Sequence, residues 1–247
     1  MLENFFDWFL KKYRSKAQLC VLLPIYLSLL LSMGISLFPA FFLECAAYRM
    51  TENYPWPLQA LSMALAFPFA IVCYAMTSIF ILPITNYFLA GKLTPIKVPY
   101  FSGISVRWFT HNAITYVARY TFLELFTPSP LSNFFYRKMG MKIGKNVHIN
   151  TTNISDPSLI TIEDHVTIGG SAYIVGHYGS GGQLTLARIT IKKNATIGLK
   201  ATLLGDVEIG ENSVVLANSF VKPRTIIPPN EIWGGVPAQK IKDVKQT

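Results

Sequence analysis

An aliphatic or aromatic residue recurs at every sixth position through Ile191, Ile197, Leu203, Ile209, Val215, Val221, Ile227 and Trp233. Ile162, Ile168 and Ile174 form an earlier run, and Ile143 with Ile149 opens the series, so one register extends from Ile143 to Ala238. The intervening positions are mostly polar or small. This spacing predicts a parallel β-helix with a short strand on each of three faces, whose apolar side chains are buried only when coils stack on one another. Ala172, Ala195, Ala201, Ser213 and Ser219 supply small residues for the tight space near the corners. Gly144, Gly169, Gly198 and Gly210 suit corner backbone angles that a Cβ would obstruct. The competing architecture, a β-sandwich of short strands, predicts apolar residues alternating at period two, a weaker pattern here.

Upstream the pattern changes. Gln18 to Leu43 carries no charge, nor does Leu58 to Ala90. Each exceeds the roughly 20 residues that span a bilayer, and the first is too long for a simple signal peptide. Two transmembrane helices are expected, joined by a loop from Glu44 to Pro57, with Pro24, Pro39, Pro68 and Pro83 kinking or ending them. Between these spans and the repeats lies an aromatic-rich segment. There Val106, Phe109, Ala113, Tyr116, Val117 and Tyr120 fall at helical spacing, which fits a helix lying along the membrane or a linker helix packed on the first coil. Thr127 to Pro130 ends it, and Leu131 to Met139 reads as a second short helix. The expected division is 1–90 (basic segment and two transmembrane helices), 91–141 (interfacial helical linker) and 142–247 (β-helix). The fold class is thus an α+β membrane protein.

Charge sharpens this division. The net charge of +9 comes from 22 basic and 13 acidic residues. Residues 1–139 hold 11 Lys and Arg against 5 acids, so most of the excess flanks the spans, where anionic lipid headgroups lie. No nucleic-acid motif accompanies it. Lys11, Lys12, Arg14 and Lys16 precede the first span, and Lys92, Lys97 and Arg107 follow the second. The positive-inside rule then places both termini and the β-helix in the cytosol, at a cytoplasmic membrane. Cys20, Cys45 and Cys73 offer neither a disulfide framework nor zinc-ligand spacing, so no metal is expected.

In this reading the six-residue register breaks once, between Ile174 and Ile191. Gly176, His177, Tyr178, Gly179, Ser180, Gly181, Gly182 and Gln183 leave the repeat together and form a projecting loop, where binding and catalytic groups often reside. A neutral imidazole accepts a proton from an attacking hydroxyl or amine near pH 7. Backbone N–H groups among Gly176, Gly179, Gly181 and Gly182 are candidate donors to an oxyanion. Asp156, Glu163, Asp164 or a residue of another subunit would orient His177. His111 falls on the aromatic helix; His148 and His165 suit surface or interface roles.

The repeats resemble the left-handed β-helix acyltransferases, and the ending Trp233-Gly234-Gly235-Val236-Pro237-Ala238-Gln239-Lys240-Ile241 is similar to their Gly-x-Pro-Ala-x-x-Ile close. From Val106 to Ile241 the chain also resembles the membrane-embedded terminal domains of polyamino-acid synthetases such as poly-lysine synthetase. That likeness rests on Arg107-Trp108 and on the run Tyr136-Arg137-Lys138-Met139-Gly140-Met141-Lys142-Ile143-Gly144-Lys145-Asn146-Val147-His148-Ile149. The acyltransferase resemblance implies left-handed coils, a homotrimer, and acetyl-CoA or another acyl-CoA as donor. It implies His177 as general base, Gly198 and Ala217 along the pantetheine arm, and Lys222 and Lys242 near the phosphates. The family's usual Lys and Arg are replaced here by Pro223 and Gln239. The expected activity is acyl transfer to a hydroxyl or amine of a membrane-associated or surface-polymer precursor. The alternatives are amide-bond formation from a carrier-protein thioester, a non-catalytic trimeric scaffold, and a hydratase of the carbonic anhydrase kind with three histidines meeting at a subunit interface.

Overall fold

The computed structural model describes residues 2–244. Two long helices lead: α1 spans Leu2–Thr51 and α2 spans Trp56–Leu89, and they pack against each other. The hydroxyls of Ser28, Ser32, Ser36, Thr77 and Thr85 donate to carbonyls four residues back, so these polar groups of the apolar helices are satisfied internally. Of the two expected effects of the prolines, kinking or ending, none of the four ends a helix: all lie inside α1 or α2. The one backbone break is at Arg14 (φ 43°, ψ −118°). Helix α1 continues past Leu43, because nothing between Glu44 and Thr51 disrupts its hydrogen bonding, and the loop shrinks to residues 52–55. Pro57 sits in the first turn of α2, where no intrahelical N–H is needed.

Residues 142–243 form the stacked coils. Three parallel sheets run along the prism. On one, Ile191 lies between Ile162 and Ile209, with Ile227 beyond. On the second, Ile149, Ile168, Ile197, Val215 and Trp233 stack. On the third are Ile154, Ile174, Leu203 and Val221. These side chains fill the prism, and Ala172, Ala195, Ala201, Ser213 and Ser219 are buried as expected.

The corners correct one expectation. Positive φ there belongs to non-glycine residues, among them Asn146, Asn194, Asn212, Asn218 and Asn230. Asparagine tolerates this region, and Asn194, Asn212 and Asn230 add a ladder in which each Nδ2 donates to the next Oδ1 at 2.9 Å. Gly144, Gly169, Gly198 and Gly210 are required instead for close approach: a Cβ on Gly169 would stand 2.6 Å from the backbone nitrogen of Leu199 one coil on.

The register also breaks twice rather than once. Later coils repeat every 18 residues, as in Ile191 to Ile209. In the first coil, however, Ile154 pairs with Ile174, 20 residues on. Ile154 follows Ile149 by only five residues, and a left-handed Asp156 (φ 60°) with a 3-10 turn at Pro157–Leu159 takes up the remainder. The second break is the expected projection. It is a hairpin of His177–Ser180 and Gln183–Leu186, turned by Gly181 (φ 57°) and Gly182 (φ 74°). The linker adds a third strand to it: Ile96–Pro99 pairs antiparallel with Gln183–Leu186.

The rest of the linker is packed rather than peripheral. Helix α3, Gly103–Ala118, starts at a Ser102 cap, and its first N–H (Gly103) donates to Asp7 Oδ1 at 2.7 Å. It runs into a π-helical turn at Arg119–Leu123; α4 follows at Pro130–Lys138 behind a Ser129 capping box. The buried face of α3 differs from the predicted stripe. Tyr116 and Tyr120 are exposed and stack on each other, whereas Thr110, His111, Asn112 and Thr115 are buried. Sandwiched between α2 and the first coils, α3 meets hydrogen-bonding partners on both sides, and these compensate for burying polar groups.

Candidate active site

The two register breaks stand side by side. Ser155 pairs with Val175, so Asp156 lies beside Gly176 and the chain delivers His177 directly above it. Gly176 is the residue that permits this: a Cβ there would come within 3.1 Å of Asp156 Cβ and 3.2 Å of Leu159 Cβ. His177 Nδ1 and Asp156 Oδ2 are 2.5 Å apart, and the Asp156 side chain is wholly buried. The other carboxylate oxygen accepts from Asn112 Nδ2 at 2.9 Å, and the same amide donates to the Trp108 carbonyl at 3.1 Å. The Trp108 ring meets the imidazole edge-on, with centroids 4.7 Å apart. One imidazole nitrogen is thus tied to a buried carboxylate while Nε2 makes no hydrogen bond among the described residues, the arrangement of a general base held in one orientation.

His177 opens onto a cavity of about 210 Å³ between α3 and the first two coils. Asn112, Thr115, Tyr116 and Arg119 form the helical wall, with Thr152, Asn153 and Tyr173 across from them. Arg119 sits on the π-helical turn, and its Nε donates to Glu124 Oε1 at 3.2 Å. Thr152 Oγ1 donates to the same carboxylate oxygen. Asn153 Oδ1 is buried without a partner.

Of the carboxylates proposed to orient His177, Asp156 is the one in place. Glu163 pairs with Lys192 at 3.6 Å, and Asp164 Oδ1 accepts from Lys145 N at 2.6 Å. His111 is buried in α3 as well as carried on it. Its Nδ1 bonds Asn86 Oδ1 of α2 at 2.9 Å. Burial lowers its pKa to about 4, opposed by the negative charge of Asp156. His148 and His165 are exposed, near the corner between the first and second sheets, whereas His177 leaves the corner between the third and first. Among the oxyanion candidates, Gly176 already gives its N–H to Ser155 O at 3.4 Å.

The family model described as the hexapeptide repeat of succinyl-transferase matches residues 188–223. That stretch is hexapeptide repeat, and the chain is similar to acyltransferases built on such repeats. Among curated relatives it is 30% identical over 184 residues to delta-poly-L-ornithine synthetase of Acinetobacter baumannii, covering 74% of this chain and 14% of that one. It is 42% identical over 94 residues to the mitochondrial gamma carbonic anhydrase 2 of Arabidopsis thaliana, covering 38% of this chain and 30% of that one. Galactoside O-acetyltransferase of Escherichia coli is 32% identical over 119 residues, covering 45% of this chain and 58% of that one. The chain therefore spans less than two thirds of each. The synthetase alignment is longer than the coil segment, so that likeness reaches into the helices.

The residues expected from the resemblance to meet an acyl donor fall in two groups. Gly198 and Ala217 stack at one corner, flanked by the exposed side chains of Leu199 and Leu216. Lys222 lies at the next corner, and Lys242 is on the closing hairpin opposite Ile232. Asn112, Trp108, Arg119 and Asn153 were not among the predicted site residues. A visible signal for two of them was the polar Thr151-Thr152-Asn153 run in an apolar coil and the Thr110-His111-Asn112 run in an aromatic helix.

Proposed function

We propose that this chain is a membrane-anchored acyltransferase that moves an acyl group, most simply acetyl, from a coenzyme A thioester to a hydroxyl or amine. The observation that carries the reading is His177, oriented by buried Asp156 and open at Nε2 toward a polar cavity. Nε2 takes the proton of the acceptor as its oxygen or nitrogen attacks the thioester carbonyl. Asp156 holds the Nδ1 proton and stabilises the resulting imidazolium. When the tetrahedral intermediate collapses, the C–S bond breaks and the imidazolium returns its proton to the leaving thiolate. No metal enters this scheme.

The exposed side chains of Leu199 and Leu216 beside Gly198 and Ala217 give an apolar strip that suits a pantetheine arm. In this proposal Lys222 and Lys242 approach the phosphates across a subunit boundary, in keeping with the trimers typical of hexapeptide-repeat proteins and with left-handed coils. Both apolar helices anchor the assembly in a cytoplasmic membrane, with termini and coils in the cytosol, and the acceptor is membrane-associated. A second reading, amide formation from a carrier-protein thioester, is favoured by the synthetase alignment extending beyond the repeats. It uses the same His177 and differs in the donor. A hydratase reading has less support: the Nδ1 of His177 is engaged by buried Asp156, and no group of three metal-ligating side chains is found among the described residues of one chain.

The test is acetyl-CoA binding and thioester cleavage by the detergent-purified protein beside His177→Ala. Turnover is expected to fall by about 10²- to 10⁴-fold in the variant, the usual share of a general base, with acetyl-CoA binding retained. Binding with unchanged turnover removes His177 from the mechanism. No binding of acetyl-CoA moves the donor to a carrier protein.

A further inference from the structure

The cavity beside His177 carries two polar groups that the proposed proton transfer does not use. Arg119 lines it, and the only hydrogen bond recorded for its guanidinium among the described residues is from Nε to Glu124. Glu124 is in turn held by Thr152, so the pair fixes the plane of the guanidinium and leaves both terminal nitrogens as donors. The second group is Asn153. Its side chain is 9% exposed, it lines the same cavity, and its Oδ1 has no partner. A buried acceptor left unpaired costs stability, and a ligand bringing an N–H or O–H to it removes that cost. The chain thus sets an anion-seeking donor and a donor-seeking acceptor in one half-open cavity, with the imidazole at its side.

We infer that this cavity is the acceptor subsite and that its ligand carries a carboxylate or phosphate close to the hydroxyl or amine that is acylated. The inference rests on the acyltransferase reading for the word acceptor but not for the binding itself. Arg119 takes the anionic group, Asn153 Oδ1 takes an N–H or O–H of the ligand, and the nucleophile lies toward His177. The volume of about 210 Å³ equals roughly seven waters at their liquid volume, which limits the enclosed part to a small headgroup. The wall that selects it comes from α3 and the π-helical turn, elements that also pack on the apolar helix α2. Exposed Tyr116 and Tyr120 continue that wall outward, so the anion is either a free small molecule or the headgroup of a lipid.

Equilibrium binding to the full-length protein in phosphatidylcholine nanodiscs, without acyl donor, tests this. The probes are lactate against lactamide and glycerol 3-phosphate against glycerol, matched pairs that differ in the charge. Phosphatidylglycerol in the nanodisc supplies the lipid-borne phosphate, read by its displacement of the soluble anion. At least one anion is expected to bind tenfold or more tighter than its uncharged partner, and Arg119→Gln to abolish that preference. Arg119→Lys, which keeps the charge but not the fork, is expected to retain part of it. Equal binding within both pairs, no binding of any anion, or a preference that survives in Arg119→Gln overturns the inference. His177→Ala separates it from the acyltransferase reading. Anion preference persisting in a protein that shows no acyl transfer leaves the subsite standing and removes the reaction. Transfer to uncharged acceptors without anion preference does the reverse.

Discussion

At the scale of single residues the site depends on one amide. Asn112 Nδ2 donates to Asp156 Oδ1 at 2.9 Å and to the Trp108 carbonyl at 3.1 Å. Asp156 is wholly buried, and a buried carboxylate is stable only when its oxygens are satisfied. A hydrogen bond to a charged group contributes about 1.5–3 kcal/mol. Asn112→Ala is therefore expected to let Asp156 rotate away from His177 and to lower kcat by about 10- to 100-fold. Because Asn112 bonds Asp156 and Trp108 rather than any residue expected to meet the donor, KM for acetyl-CoA is expected to stay the same. Asn112→Asp, which sets a second carboxylate against the first, is expected to be worse than Ala. Steady-state kinetics on both variants checks this; equal loss in kcat and KM would make Asn112 a purely structural residue.

At the scale of elements, α3 joins the apolar helices to the coils through polar contacts, and His111 is the sensitive one. Its Nδ1 is engaged by Asn86 Oδ1 and its Nε2 is buried without a partner, so the fold accommodates the neutral ring. Burial lowers its pKa from 6.5 to about 4. A group whose folded-state pKa is depressed below its unfolded value binds its proton more readily when unfolded. Its contribution is complete above about pH 6.5 and is lost as pH falls toward 4, amounting to roughly 3 kcal/mol. Thermal unfolding in detergent between pH 7.5 and 4.5 is expected to show a falling midpoint in the wild type and a shallower slope in His111→Gln. A slope unchanged in the variant assigns the acid sensitivity elsewhere. The same element shows where sequence reading stops. The coils were legible because a six-residue period needs only an aliphatic ladder. The projecting loop was legible because the 17-position step from Ile174 to Ile191 does not fit that period. Asp156 was one of three carboxylates until the five-residue step from Ile149 to Ile154 brought it under His177. Asn112 and Arg119 were hidden because a helical wheel assumes that aromatic residues face inward. Here the aromatic Tyr116 and Tyr120 face outward, and the polar side of α3 is covered by two neighbours that hydrogen-bond to it.

At the scale of the whole molecule the unresolved balance is apolar surface. In the most apolar stretches of α1 and α2 only 17% and 33% of residues are buried within the chain. Leu30, Leu31, Phe38, Phe41, Phe42, Leu65 and Phe69 are each more than 60% exposed. Core helices of a soluble domain bury such residues, and exposed apolar area costs about 25 cal/mol per Å², so this surface requires lipid or another protein against it. The basic residues beside the helices and the polar coils set the matching boundary. The protein is therefore expected to sediment with membranes, to resist extraction by high salt or alkaline carbonate, and to be released by detergent. If carbonate releases it as a dispersed species, the helices are covered by protein instead, and the membrane-associated acceptor loses its main support. Topology follows from the same reasoning. A reporter fused to the C-terminus, or a cysteine placed in the 52–55 loop and labelled from outside intact cells, should put the coils and this loop on opposite sides. Both on one side would make α1 and α2 a surface-lying hairpin. In either case α3 stays packed on α2, so the cavity wall keeps its place beside these helices.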